Sequence, residues 1–425
     1  MKEHFTATLD HIFQFFASYL GGGMGGSVLV LVFFLCLCFV LFSLFPKKRK
    51  IILFALSLAL ALHVLGPQVL LCIFLYVLFW YFFLRKMDTL PENRRGLYLK
   101  IIPALSFSLY FLLMNASHLG LHLPRDSVQS LGLSYLIWRI LHVSVDWKRG
   151  KIENKKLGNF LLYVFFFPSL MGGPIERIQR FYAFPFFEGK KWSMNWQRSY
   201  FLRFGIGLLK IVISVKLLNL DYASYWSHAL SLNYWLVVKI FYLNALTFYL
   251  VSSGANDINI SISSTIGMPL CENYNYPYFQ KNLAHFWRNW HRSLSSILSE
   301  YVYEPLGGKN KRQYLNYIFT FFFCGMWHDT TTAFVIWGLA HGLGLCFLRL
   351  WQNFCATYFS SLKKILSKYP KTLYAASCLI TFHFVAWAWL PFQGGHPQGT
   401  ILMFRVLGLE KVALGVAKIA GYYPY

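Results

Sequence analysis

Uncharged apolar stretches, several long enough to cross a bilayer, recur along this chain, and short clusters of Lys and Arg separate them. Residues 27–45 read SVLVLVFFLCLCFVLFSLF and are followed at once by PKKRK. A spanning helix needs roughly 20 apolar residues for a hydrocarbon core of ~30 Å. Such runs leave little choice: each must be a helix, because lipid cannot satisfy an open backbone. Composition agrees. Of 425 residues, 56% are hydrophobic, 20% aromatic and 13% charged, against roughly 25% charged in soluble domains. A disordered, collagen-like or ordinary cytosolic chain is excluded.

Lys plus Arg number 40 and Asp plus Glu 16, a net charge of +24. In a soluble protein this would suggest nucleic acid. Here the basic residues sit between apolar runs, the positive-inside arrangement that sets orientation. No nucleic-acid partner is expected; membrane lipids and an acidic partner are suited to the surplus charge. None of the eight Cys forms a CxxC pair and most lie in apolar runs, so they are expected to be small buried hydrophobes, neither disulfides nor metal ligands. Residues 1–26 carry Glu3 and Asp10 and end in GGGMGG, which argues against a cleavable signal peptide.

The expected fold class is an all-α polytopic membrane protein with about ten or eleven crossings. Spans are expected at 27–45, 51–65, 68–84, 101–114, 128–145, 200–220, 233–252, 314–327, 331–350 and 372–391. The run 160–170 is only eleven residues, ~17 Å at the helical rise, and is expected to be re-entrant or broken. Residues 253–313 are more polar and read as a cytoplasmic-side segment with helices in or dipping into the membrane. Loops 46–50, 85–100, 146–159 and 355–371 are basic and expected in the cytoplasm; 115–127 and 221–232 are poor in Lys and Arg and expected outside.

Polar residues in apolar surroundings carry the chemistry, because each is costly there. In HFWRNWHRSLSSILSE, residues 285–300, Trp287, Trp290, His291 and Leu294 fall on one helical face. Arg288, Arg292 and Ser295 fall on the adjoining one. An interfacial helix with an aromatic belt and snorkelling arginines explains the same pattern. Fourteen residues, 314–327, lead from the basic loop to His328, a helical rise of ~21 Å, so His328 is expected at membrane depth beside Asp329 and Thr330–Thr332. An imidazole there can take a proton from a hydroxyl; a buried structural histidine is the alternative. His341, in AHGLG, reads as a packing or interhelical hydrogen-bonding residue.

Five stretches in order carry a family resemblance: GLSYLIWRILHVSVDWKRGKI (132–152), MGGPIERIQRF (171–181), YNYPYFQKNLAHFWRNWHRSLS (274–295), YVYEPLGG (301–308) and GMWHDTTTAFVIWGLAHGLGL (325–345). Together they resemble the membrane-bound O-acyltransferase family, most closely its bacterial branch of alginate O-acetylation and teichoic-acid D-alanylation. The resemblance implies a ring of transmembrane helices around a central tunnel. It implies a single integral-membrane domain over 1–425: peripheral N-terminal spans to 130, a catalytic core over 131–350 and C-terminal spans from 351. It makes His328 the general base and His291 a second catalytic histidine, a position held by asparagine in eukaryotic members. Lys281, Arg288, Arg292, Trp287 and Trp290 become donor-binding residues, with Asp329 and Ser295 in support. The donor would be an acyl-CoA or acyl carrier protein thioester, with no bound cofactor and no metal. The acceptor would be a hydroxyl of an envelope polymer, a lipid or a relay partner, including an extracytoplasmic acyltransferase. The location would be the inner (plasma) membrane. Three departures are visible: residues 251–258 read VSSGANDI where the family often has Asp-Phe-Ser-Gly-Tyr-Ser-Asp-Ile, Ser299-Glu300 stands where the family has Arg-Asp before Tyr-x-Tyr, and Asp329 stands where Gly is usual. A proton-coupled lipid or solute transporter is the rival of another class, since broken helices and buried histidines serve transport too.

Overall fold

The computed structural model describes residues 28–91, 133–170, 172–184, 194–217, 228–359 and 368–419. The expected span 101–114, the loop 115–127 and the first 26 residues lie outside them, as do most of the loops 85–100 and 221–232 and the basic residues Lys363 and Lys364. Among the described residues the regular elements are all helical. Four helices there are long and apolar enough to cross a membrane: Pro67–Asp88, Tyr234–Thr265, Thr332–Tyr358 and Pro370–Gln393. The chain divides into two compact units, residues 1–211 with 254–272, and residues 212–253 with 273–425.

The first unit opens with α1 (Val28–Leu44), α2 (Arg49–Leu65) and α3 (Pro67–Asp88). Gly66 between α2 and α3 has φ 75°, and Pro67 supplies the first turn of α3, so two short residues make the reversal. Arg85 and Lys86, read above as loop residues, belong to the last turn of α3. Cations are favoured there by the helix dipole. Then come α4 (Leu133–Lys148), α5 (Leu157–Val164), α6 (Ile178–Ala183) and α7 (Met194–Leu217).

The short run at 160–170 is a broken helix: α5 stops at Val164 and a tight turn over Phe167–Ser169 follows, all buried. Arg139 holds that break. Its guanidinium is 1% exposed and donates to Val164 O at 2.7 Å and Ser169 Oγ at 3.0 Å. A cation thus meets a free carbonyl at a helix C-terminus, where the backbone is electronegative. On the same helix, His142 Nε2 accepts from Ile178 N–H at 3.0 Å, and Asp146 accepts from Gln179 at 2.6 Å. Glu176, 3% exposed, accepts from Cys271 N–H and Arg180. Burial raises its carboxyl above the usual range and the Arg180 charge opposes that rise.

α8 (Tyr234–Thr265) is longer than the expected span 233–252. Residues 253–265 continue the helix instead of starting a separate cytoplasmic-side segment, and Ser253, Asn256, Asp257, Ser261, Ser263, Ser264 and Thr265 are buried. Ser261 and Thr265 return their hydroxyls to the carbonyls of Asp257 and Ser261, each at 2.6 Å, so the hydroxyls need no water. Asp257 receives Arg203 at 2.8 Å and Lys210 at 2.6 Å, both from α7. α7 and α8 cross at two glycines: a Cβ on Gly207 or Gly254 would lie 2.7 Å from the other's carbonyl oxygen. Gly254 and Asp257, both kept from the family pattern over 251–258, therefore serve this crossing.

The second unit contains α9 (Leu283–Asn289), α10 (Arg292–Leu298), α11 (Gln313–His328), α12 (Thr332–Tyr358), α13 (Pro370–Gly394), α14 (Thr400–Arg405) and α15 (Glu410–Ile419). α11 and α12 form a tight antiparallel pair. A Cβ on Gly325 would strike Phe334 O, and one on Gly338 would strike Phe321 O. The C-terminal tail is fastened by Arg405, 6% exposed, which donates to Ala229 O and Leu232 O and pairs with Glu410.

Candidate functional site

The stretch 283–298 is not one helix. α9 ends at Asn289, Trp290 is extended, and His291 sits in the left-handed region at φ 44°, ψ 55° before α10 begins. The one-face arrangement of Trp287, Trp290, His291 and Leu294 is corrected accordingly. The cause is Asn273. Its carbonyl accepts from Arg292 N–H and its Oδ1 from Ser293 N–H, each at 3.0 Å, so a side chain from a neighbouring strand of loop satisfies the first turn of α10. Asn275 N–H pairs with Asn289 O at 3.0 Å, and Ser295 Oγ donates to Trp290 O at 3.1 Å. The interruption thus keeps these backbone groups paired. Asn282 caps α9 in the same way, accepting from His285 N–H at 2.9 Å.

Losing the Asn273 cap should cost about 1–2 kcal/mol. We expect Asn273→Ala to lower the thermal midpoint of the detergent-solubilised protein by a few degrees, whereas Asn275→Ala, whose side chain is exposed, should move it less.

His328 is the last residue of α11. It is half-buried, between buried Trp327 and Asp329. Its ring meets Trp337 edge-on at 5.4 Å, Phe392 at 5.0 Å and Phe334 at 6.0 Å. Asp329 Oδ1 accepts from Thr331 N–H at 3.1 Å, forming the turn that starts α12 and fixes the backbone beside His328. No group of three His, Cys, Asp or Glu suited to a metal ion occurs among the described residues, and the eight cysteines are free thiols.

A run of rings joins His328 to His291, beginning with the Phe392 contact of His328. Phe392 packs on Phe248 at 5.1 Å, Phe248 on Trp290 at 5.4 Å, Trp290 on Tyr274 at 5.1 Å, and Tyr274 on His291 at 6.4 Å. His291 Nδ1 is buried with no hydrogen-bond partner among the described residues. Burial pushes its imidazole down to about 4, so the ring is neutral at neutral pH. His341 is fully buried and accepts from Trp287 Nε1 at 3.3 Å, in keeping with a packing and hydrogen-bonding role. Trp287 and Trp290 are themselves buried and build the wall with Trp337 and Trp389. Lys281, Arg288 and Arg292 are exposed. Burial lowers the His285 imidazole, and the charges of Arg288 and Lys281 add to that effect.

Among the contributors that the sequence reading missed are Asn273, Phe248, Trp389 and Phe392. The aromatic three lie on α8 and α13, far along the chain, and each looks like an ordinary apolar residue of a span. Asn273, in CENYNYP, carries no hint in the sequence of which helix it caps.

The model of the membrane-bound O-acyltransferase family, MBOAT, matches residues 4–382. The chain belongs to this family. Membership makes it membrane-embedded, as the apolar helices require. It is 30% identical over 275 residues to the peptidoglycan O-acetyltransferase of Helicobacter pylori, covering 60% of this chain and 48% of that protein. It is 28% identical over 269 residues to the probable alginate O-acetylase AlgI of Azotobacter vinelandii, covering 62% and 50%. It is 27% identical over 290 residues to the teichoic acid D-alanyltransferase of Bacillus subtilis, covering 64% and 71%. The matched region thus spans about half the length of the first two relatives. This MBOAT chain keeps His291 and His328 on a fixed backbone in one aromatic enclosure.

Proposed function

We propose that the protein is an inner-membrane, multi-pass O-acyltransferase. It moves an acyl group of the acetyl or D-alanyl class from a thioester to a hydroxyl of a cell-envelope polymer, lipid or relay partner. The thioester is an acyl-CoA or an acyl carrier protein. The observation that carries this reading is the pair of imidazoles, His291 and His328, set in one aromatic wall in a chain of an acyltransferase family.

In this reading His328 accepts the hydroxyl proton as the oxygen attacks the thioester carbonyl. The tetrahedral intermediate then collapses, the C–S bond breaks, and the imidazolium returns the proton to the departing thiolate. His291, neutral and with a buried nitrogen to spare, orients the donor or polarises its carbonyl. Trp287 and Trp290 line the approach, and Ser295 and Asp329 hold the backbone at the two histidines. Lys281, Arg288 and Arg292 meet donor phosphates at the cytoplasmic mouth of a tunnel enclosed by about ten or eleven spans, the number read from apolar runs.

The experiment is transfer by the purified protein from a labelled thioester to envelope polymer, with envelope mass spectrometry of cells with and without the protein. Absence of any acyl change, with solute uptake altered instead, would favour the transporter. For the donor, the double variant Arg288→Glu/Arg292→Glu should raise the half-saturating donor concentration about tenfold or more and leave turnover at saturation within a few-fold, as expected of contacts made equally before and during reaction. An unchanged half-saturation point at normal yield would remove both residues from the site.

A further inference from the structure

A second site lies in the first unit, where α3, the loop after α4 and the start of α5 meet. Tyr81, Arg85, Glu153, Asn154, Lys155 and Lys156 line a cavity of about 580 Å³ there. Its floor is tied together. Tyr81 OH donates to Lys155 O at 2.9 Å. Lys155 pairs with Asp88 at 2.9 Å and lies over the Trp147 ring at 4.9 Å, and Trp147 Nε1 donates to Asp88 at 3.0 Å. Lys155 is thereby neutralised. Arg85 and Lys156 are exposed, and no acidic partner holds either one among the described residues. α5 opens at Lys156 with no side-chain cap, which leaves the positive end of its dipole at the same place.

Above the cavity runs an apolar track. Leu71, Leu75, Phe79 and Phe82 are 58%, 56%, 58% and 59% exposed and fall on one face of α3 at successive helical turns, and Arg85 continues the same row. From Leu71 to Phe82 the helix rises ~17 Å, close to the ~15 Å depth of one leaflet of a 30 Å core. α3 is one of the helices apolar and long enough to cross a membrane. A basic recess at the end of a leaflet-deep hydrocarbon track matches one ligand shape.

We infer that this recess binds the phosphate of an anionic phospholipid, with an acyl chain along Leu71–Phe82. Arg85 is placed for a forked contact with phosphate oxygens, Lys156 adds a point charge, and Glu153 disfavours ligands carrying more than one negative charge. The site involves none of the residues assigned to acyl transfer and does not rest on that function.

The test uses the full chain in a neutral detergent, titrated with phosphatidylglycerol, phosphatidylcholine or inorganic phosphate. Lipid retained on the protein is read by native mass spectrometry and stability by thermal midpoint. Phosphatidylglycerol should bind saturably and raise the midpoint, phosphatidylcholine less, and inorganic phosphate not at all. The double variant Arg85→Ala/Lys156→Ala should weaken phosphatidylglycerol binding about thirty-fold, from two basic side chains at a surface. Lys86→Ala, at the same helix end but outside the cavity, should stay within about threefold of the parent. Equal protection by inorganic phosphate would overturn the lipid assignment. Equal binding of phosphatidylcholine would overturn the role of charge. An equal loss in Lys86→Ala would reduce the site to diffuse attraction, and no saturable binding would remove it.

Discussion

His328→Ala should abolish acyl transfer while leaving the protein folded and in the membrane. A positioned base is worth on the order of 10²–10⁴-fold in rate, and a loss in that range is expected of a ring held among Trp337, Phe334 and Phe392. The fold should survive because His328 is only half-buried, ends its helix and contributes ring contacts more than hydrogen bonds. The measurement is single-turnover transfer at saturating donor, with size-exclusion profile and thermal midpoint as controls. Retention of more than a few per cent of the parental rate would remove the base assignment. His328→Gln keeps volume and polarity without basicity and should be as inactive. A Gln variant that works would point to a hydrogen-bonding role instead.

The largest structural effect should come from Gly338→Val. Gly338 on α12 faces Phe321 O on α11 so closely that any Cβ collides with a backbone atom, which cannot rotate away. Overpacking costs about 1–3 kcal/mol where side chains can adjust; here the helices themselves must part, so we expect 3 kcal/mol or more and a sharp fall in folded yield. Domain stabilities are only about 5–15 kcal/mol. Any surviving protein should also lose activity, because α11 carries His328, and a shift of 1 Å at a reacting group can cost ~10²-fold. Gly205→Ala in α7 is the matching control: a Cβ there meets nothing within 4 Å, so it should be neutral or slightly stabilising. If Gly338→Val keeps the parental midpoint and yield, the α11–α12 pair is looser than the structure has it.

Most helices were legible because lipid forces a one-dimensional signal: an apolar run bounded by Lys and Arg. The turn at Gly66-Pro67 and the break after Val164 were visible as local chemistry and as a run too short to span. The errors arose where polarity was satisfied by other parts of the chain. Residues 253–265 look like the end of a span, yet Arg203 and Lys210 neutralise Asp257, and the hydroxyls fold back on their own helix. Likewise 285–300 has a helical period throughout, and only Asn273, outside that window, reveals the interruption. The two histidines stood out in the sequence as ionisable groups among apolar ones. The rings connecting them did not, since nothing in a Phe or Trp of a span says which neighbour it will touch.

The left-handed backbone at His291 has a consequence for what the chain can tolerate there. At φ 44° and ψ 55° a side chain crowds its own carbonyl, at a penalty of roughly 1–2 kcal/mol for most residue types. Glycine escapes it, and Asn, Asp and His occupy this region more readily than the rest. The main chain therefore screens substitutions before any chemistry does. β-branched residues are shut out on geometry alone, and an alanine scan at this position mixes twisting strain with loss of the imidazole. Asparagine, the alternative that the family resemblance puts at this position, passes the same conformational filter. His291→Asn separates the two effects: it keeps the bend between α9 and α10 and removes only the ring.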